Sequence, residues 1–301
     1  MYKYYKKKDF DIMEYRFDSI TEFLNYIETA PISESFSNAT LSSEDKDYDF
    51  TKTRSLSEAK ELCKYGYHKD FDRLVDLKLT LEKYIKKNRT KGQQYNYYVG
   101  YAPDVKAYLE GSPLSMLDRK NPVRKHIDIY YNSAILSEVT TSQIFNRGAI
   151  TLSLIEILES LGYSVNLNIF TMSSCSSQIH YAVFKLKNNN ERINIQKLYF
   201  PLCHPSFLRR LVFKLREVTP DINYSWRGGY GRTCDDYLIR SVIKLKENDI
   251  VICQPQEMGI KGRSIIDDAN AMFNYINRLN LKDIELEHIK REKVLSKTLS
   301  R

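Results

Sequence analysis

No stretch of this 301-residue chain approaches the ~18 consecutive apolar residues that a membrane-spanning helix needs, so the sequence predicts no membrane partner. Its five cysteines (Cys63, Cys175, Cys203, Cys234, Cys253) include no pair at metal-finger or redox spacing. An odd, scattered set of thiols points to free cysteines in a reducing compartment, here a cytoplasm. The opening Met1-Tyr2-Lys3-Tyr4-Tyr5-Lys6-Lys7-Lys8 has no apolar stretch behind it, so it does not read as a secretory signal. His68, His126, His180 and His288 share no ligand spacing. There is no P-loop, no dinucleotide fingerprint and no internal repeat.

What the chain does have is a regular alternation over its last 180 residues. An extended run at Ile127–Tyr131 leads to a helix over 148–161 that ends at Gly162, and the strand Val165–Phe170 follows at once. The pattern continues through His180–Leu186 and Ile193–Phe200, which bracket Asn188-Asn189-Asn190 as a hairpin turn. Then come a helix from Pro205, a helix over Asp235–Lys244, the strand Ile250–Cys253 and a helix opened by Ser264 and Asp267. This order predicts an α/β domain, a three-layer Rossmann-like sheet covered by helices, over residues 123–282. Such sheets bind ligands at the carboxyl ends of their strands.

Ahead of it, residues 1–54 read as a short helix plus a mobile acidic linker. Ser19 and Glu22 form a capping box, Phe23, Leu24 and Ile27 share a face, and Pro31 stops the helix. The Ser-, Asp- and Glu-rich stretch from Ile32 to Thr53 has too little apolar area to offset its ordering entropy. Residues 55–122 form a helical and irregular subdomain. The box Ser55…Glu58 starts a helix that stops at Gly66, a second helix runs from Phe71 to Lys87, and one short strand lies near Tyr97-Tyr98-Val99. Residues 283–301 are a charged tail.

Charge divides along the same line. Residues 1–54 hold 8 basic and 11 acidic side chains, a net of −3, and the remainder of the +8 chain carries +11. A basic body can attract nucleic acid. The sharpest local feature, Trp226-Arg227-Gly228-Gly229-Tyr230-Gly231-Arg232, combines glycines that let a backbone approach a ligand with two forked phosphate donors. Trp226 and Tyr230 are candidates to stack on bases, and Cys234-Asp235-Asp236 opens a helix just behind. Arg209 and Arg210 belong to a second basic stretch, Lys185–Arg216, with eight basic residues against the single acid Glu191. Cys203 beside His204 suggests a nucleophile and base, but no third group can be named, so no catalytic residue is assigned. Asp128, Asp235 and Asp236 are oxygen ligands of the right type for a hard cation, yet paired acids at a helix start suit the helix dipole without one. Neither metal nor cofactor is predicted.

Two stretches resemble a family of uncharacterised proteins of tailed bacteriophages. They are Phe50-Thr51-Lys52-Thr53-Arg54-Ser55-Leu56-Ser57-Glu58-Ala59-Lys60-Glu61-Leu62 with Gly66, and the helix–Gly162–Tyr163–strand unit joined to His204-Pro205-Ser206-Phe207-Leu208-Arg209-Arg210-Leu211. The second block also resembles the core of a von Willebrand factor A-like domain. That resemblance implies a divalent site at an Asp-x-Ser-x-Ser loop after the first strand. Asn132-Ser133-Ala134-Ile135-Leu136 stands there instead, so the implied site is lost.

The sequence therefore points to a non-enzymatic binding or assembly module that meets a protein partner, in a host cytoplasm or a virion. The alternative is a nucleic-acid-binding protein that uses the Arg227–Arg232 loop and the basic stretch. The two readings separate on whether the basic residues share one face.

Overall fold

The computed structural model describes residues 1–36, 47–67, 94–98, 102–119 and 126–278, apart from 161, 192, 247 and 248, together with 72, 74–76 and 79. Ten strands lie among them: β1 Tyr2–Lys7, β2 Phe10–Phe17, β3 Gln94–Tyr97, β4 Ala102–Pro103, β5 Met116–Arg119, β6 His126–Asn132, β7 Ser164–Cys175, β8 Gln178–Lys187, β9 Arg232–Thr233 and β10 Ile250–Ile252. The helices are α1 Ile20–Thr29, α2 Tyr48–Thr51, α3 Leu56–Tyr65, α4 Val105–Leu109, α5 Thr141–Ser160, α6 Ile195–Cys203, α7 Phe213–Glu217, α8 Asp236–Val242 and α9 Ile265–Arg278. A wide π-type turn, Phe207–Val212, leads into α7.

The central sheet runs β1-β2-β8-β7-β6-β10, with β9 paired to β7. β6 is parallel to β7 and β10, and β2 is parallel to β8, while β1/β2 and β7/β8 are antiparallel. Helices flank this mixed sheet, as the α/β, Rossmann-like reading predicts. Strand alternation and register place Tyr15, Phe17, Phe184, Ile169 and Tyr131 on one face. Phe23 of α1 packs there, with ring centroids 4.6 Å from Phe184 and 5.4 Å from Phe17. Tyr131 Oη donates to Leu202 O of α6 at 2.7 Å, and Arg147 Nε of α5 donates to Tyr131 Oη at 2.9 Å. On the opposite face Lys7 Nζ donates to Ser241 O of α8 at 2.5 Å. A separate antiparallel sheet, β3-β5-β4, carries α4.

Both capping boxes form as read. Ser19 accepts from Glu22 N and Glu22 from Asp18 N; Ser55 accepts from Glu58 N and Glu58 from Arg54 N. Gly162 follows α5 with φ +94°. Three segments differ from expectation. Residues 2–17, in the region read as a short helix plus a mobile linker, are two strands of the central sheet. A Lys/Tyr-rich strand looks like a solvated tail by composition, yet β2 buries Ile12, Met13, Tyr15 and Phe17. The stretch read as a mobile linker holds buried Ser35, Phe36, Thr51 and Thr53, while residues 37–46 lie outside the described residues. Ile193–Phe200, read as the second strand of a hairpin, begins helix α6 instead. Asn194 caps it by accepting from Lys197 N, and Asn188 is tied to Glu191 rather than turning a hairpin. The true hairpin joins β7 to β8 at Ser176, whose φ is +54°. The helix read over 71–87 and the 283–301 tail lie almost wholly outside the described residues.

α5 and α6 approach closely at Gly148. A Cβ there would stand 2.4 Å from Leu202 O and 2.6 Å from Cys203 Sγ. Leu202 O is also held by Tyr131, so α6 cannot simply retreat. Gly148→Ala gains ~1 kcal/mol of helix propensity but overpacks by ~1–3 kcal/mol, and net destabilisation is expected. Equilibrium urea unfolding tests this; an unchanged or raised midpoint would contradict the close contact.

Candidate functional site

Two of the residues singled out by sequence, Tyr230 and Arg209, meet around one phenylalanine. Phe213 opens α7 and stacks on Tyr230, with centroids 4.0 Å apart and planes 5° from parallel. Phe36 stacks on Tyr230 as well, at 5.5 Å. The Arg209 guanidinium lies 5.4 Å from the Phe213 centroid and 5.2 Å from that of Phe50. Arg216 lies 5.4 Å from the same Phe213 centroid. Arg210, buried, turns away and donates from Nη2 to Thr53 O at 3.1 Å.

Arg216 organises this cluster, and its position in a basic run had given no sign of it. It is 2 % exposed. Nη1 donates to Tyr230 O at 2.6 Å, and Nη2 to Ser173 Oγ at 2.8 Å and Thr171 Oγ1 at 3.2 Å. One guanidinium thus ties α7 to the end of β7 and to the glycine loop. Burial pulls its pKa down to about 10. Burial also lowers Arg209, against the opposing pull of Asp47. Among the described residues Arg216 makes no ion pair with a carboxylate; the hydroxyls and the carbonyl supply its partners.

The glycine loop lies against the core. Trp226 is fully buried and its Nε1 donates to Gln178 Oε1 at 3.1 Å. Tyr230 is 1 % exposed, has φ +59°, and donates from its hydroxyl to buried Glu217 Oε1 at 2.6 Å. The reading of Trp226 and Tyr230 as base-stacking platforms is therefore corrected: both rings are already packed inside. Gly231 has φ +81°, and a Cβ there would meet Trp226 Cζ3 at 2.4 Å, so this glycine serves packing. Gly229 and Arg232 are exposed, Arg232 beside Ser174 in β9. The chain passes Arg227 and Gly228 in the 3-10 turn Tyr224–Gly228. The basic stretch also turns inward. Lys187, Arg210 and Arg216 are buried, Lys185, Arg209 and Lys214 are half-buried, and only Lys197 of its described basic residues is exposed.

The other candidates do not converge. Cys203 is buried against Gly148, and burial pushes its thiol well above the ordinary range. His204 Nδ1 accepts from Ser206 N, and its ring stacks on Phe200 at 4.7 Å. Asp128 is held by His126 and Asn166 at one end of the sheet. Asp235 caps α8 and Asp236 pairs with Arg240. Among the described residues no group of three or more His, Cys, Asp and Glu is placed to hold a metal ion. At the carboxyl ends of β6 and β10 the protein's own groups bond one another. Arg147 Nη1 donates to Cys253 O at 2.9 Å, and Asp268 accepts from Asn146 Nδ2, Lys261 N and Gly262 N. Arg147 was legible in principle as the lone charge in the apolar middle of α5.

A family model described as a domain of unknown function (DUF7192) matches residues 4–283. The chain belongs to that family. The match runs from inside β1 past the end of α9, so the N-terminal strands and the last helix fall within one family unit. No curated protein and no solved structure matches the chain. No described helix is long and apolar enough to cross a membrane.

Near Arg216 sits a titratable reporter. His180 is fully buried, with Nε2 3.1 Å from Thr219 Oγ1. Burial first, and the Arg216 charge second, hold its pKa well below the ordinary 6.5. The unfolded chain takes up a proton below that value and the folded one does not, so stability falls as pH drops. Between about pH 7 and pH 5 the native chain should lose up to ~1.4 kcal/mol per pH unit more than His180→Phe. Parallel slopes in urea unfolding would show that the imidazole does not contribute.

Proposed function

We propose that this chain is a non-enzymatic binding and assembly protein that acts through protein–protein contacts. The observation that carries the reading is the solvent face of α4. Val105, Tyr108 and Leu109 are 64 %, 70 % and 78 % exposed, and their spacing puts them on one stripe. Only Ala107 of this helix is buried. A five-residue helix does not persist alone in water. This one is fixed by Asp104, which accepts from Lys106 N and Ala107 N and is itself held by Asn96 Nδ2 of β3 at 3.0 Å. A rigid platform that presents apolar side chains to water is the form an interaction site takes. Each such side chain a partner fully covers returns ~1.5–3 kcal/mol before ordering costs.

The inward turn of Lys187, Arg210 and Arg216 also favours a protein partner over nucleic acid, because buried cations are unavailable to phosphates. A phage setting, with action in the host cytoplasm or the virion, and a degenerate A-type core both belong to this proposal. They rest on the resemblance of the His204–Leu211 block and the Gly162 unit, and on Asn132 standing where an aspartate ligand is expected. The second reading keeps one supporting observation: Arg232 is exposed at the mouth of the glycine loop.

Tagged chain recovered from its native host should bring down a defined protein set, and Val105→Asp with Leu109→Asp should remove it without changing the melting temperature. An identical set from the double variant would exclude α4 as the contact. Labelled DNA and RNA, single- and double-stranded, should not bind at about 50 mM salt. Binding that falls steeply by about 200 mM, and is lost with Arg227→Ala and Arg232→Ala, would favour the nucleic-acid reading instead.

A further inference from the structure

A second surface lies well apart in sequence from α4, where the segments after α1 and α7 come together. They enclose a groove of about 500 Å³ floored by Tyr26, Ala30, Ile32, Val218, Pro220 and Ile222. Within that floor Ile32 is 43 % exposed, an apolar side chain left at the surface. Among the described residues, the charged ones lining the groove are Glu34 and Asp221, with neither lysine nor arginine, on a chain whose net charge is +8.

Its walls are pinned from both sides. Ser33 N donates to Glu217 O at 2.7 Å, Ser35 Oγ to Ile222 O at 2.5 Å, and Tyr2 Oη to Asp221 Oδ2 at 3.1 Å. Asp221 holds φ +61°, a left-handed backbone that points to a fixed turn. A preformed groove spares a ligand part of the ordering cost of binding, and its size falls in the range that receives a short segment.

We propose that this groove docks a short basic segment of a protein partner, with an apolar side chain on the floor and a Lys or Arg between Glu34 and Asp221. The inference rests on the protein-binding reading and names the chemistry of one partner surface. An apolar floor with the Glu34 and Asp221 carboxylates on its rim selects against acidic segments by repulsion and draws basic ones by long-range attraction. Because both carboxylates face solvent, that attraction weakens with salt.

A random peptide library displayed on phage and panned against the full chain tests this, with recovered peptides measured individually by fluorescence anisotropy. Peptides with Lys or Arg beside Ile, Leu or Phe should dominate. Their affinity should fall about tenfold with Ile32→Ser and severalfold with Glu34→Gln plus Asp221→Asn. Asparagine tolerates the left-handed backbone, so the second variant removes charge while keeping the turn. Val105→Asp with Leu109→Asp should leave these peptides bound. Basic peptides insensitive to both groove variants, peptides that are acidic or neutral, or no enrichment at all would each overturn the groove. If binding is lost only with the α4 variant, the groove falls while the protein-binding reading stands. Loss of the α4-dependent protein set, with peptides still held in the groove, would do the reverse.

Discussion

The upper end of this fold depends on the Arg216 cation being kept dry and still hydrogen-bonded. Its side chain reaches strand β7 through Thr171 and Ser173 and the glycine loop through Tyr230 O. Without those acceptors a buried guanidinium would cost several kcal/mol. With them it fixes how α7 sits on the sheet and how the loop closes over Trp226. Phe213, Tyr230 and Phe36 then stack in sequence, bringing the segment before α2 onto the same cluster. The arrangement has few spare degrees of freedom, which suits a scaffold better than a site that must admit and release a substrate.

The same inward use of charge changes how the composition is to be understood. A basic stretch in sequence becomes a set of internal fasteners in space: Lys187 bonds Val165 O and Glu159, Arg210 bonds Thr53 O, and Lys214 lies 3.7 Å from Glu217. Excess positive charge in a sequence is thus no guide to a basic surface. Outside, exposed cations such as Lys64, Lys106, Arg232 and Lys246 accompany an apolar helix face and a groove with an acidic rim, two features to which net charge is blind.

Much of the fold was legible because local signals act locally. Ser19 and Ser55 cap helices wherever those helices go, Gly162 ends α5 by its backbone conformation, and the Ile127–Tyr131 and Val165–Phe170 runs can only be buried strands. The misses have a common cause. β1 and β2 are strands because β8 offers an edge far along the chain, and no window around Tyr2–Phe17 contains that edge. Ile193–Phe200 is apolar enough for either period, and only Asn194 as a cap decides for a helix. At the candidate site, glycines and arginines drew attention to the loop. Sequence could not say that its aromatics face inward, because that depends on Gln178 and Glu217 being there to accept from Trp226 and Tyr230.

The pairing of β2 with β8 bears on how the chain is made. Phe17 has its β8 partner at Phe184, so β2 can pair with β1 early, but its other edge stays open until most of the protein has been synthesised. At ribosomal speeds that leaves Ile12, Met13, Tyr15 and Phe17 without their sheet for on the order of ten to thirty seconds. An apolar strand with an open edge is the part of a nascent chain that chaperones hold and that aggregates form around. Lysines lie beside it in sequence, Lys3, Lys6 and Lys7 in β1 and Lys8 in the turn that follows. In the finished protein they flank an edge; during synthesis they keep the waiting strand soluble.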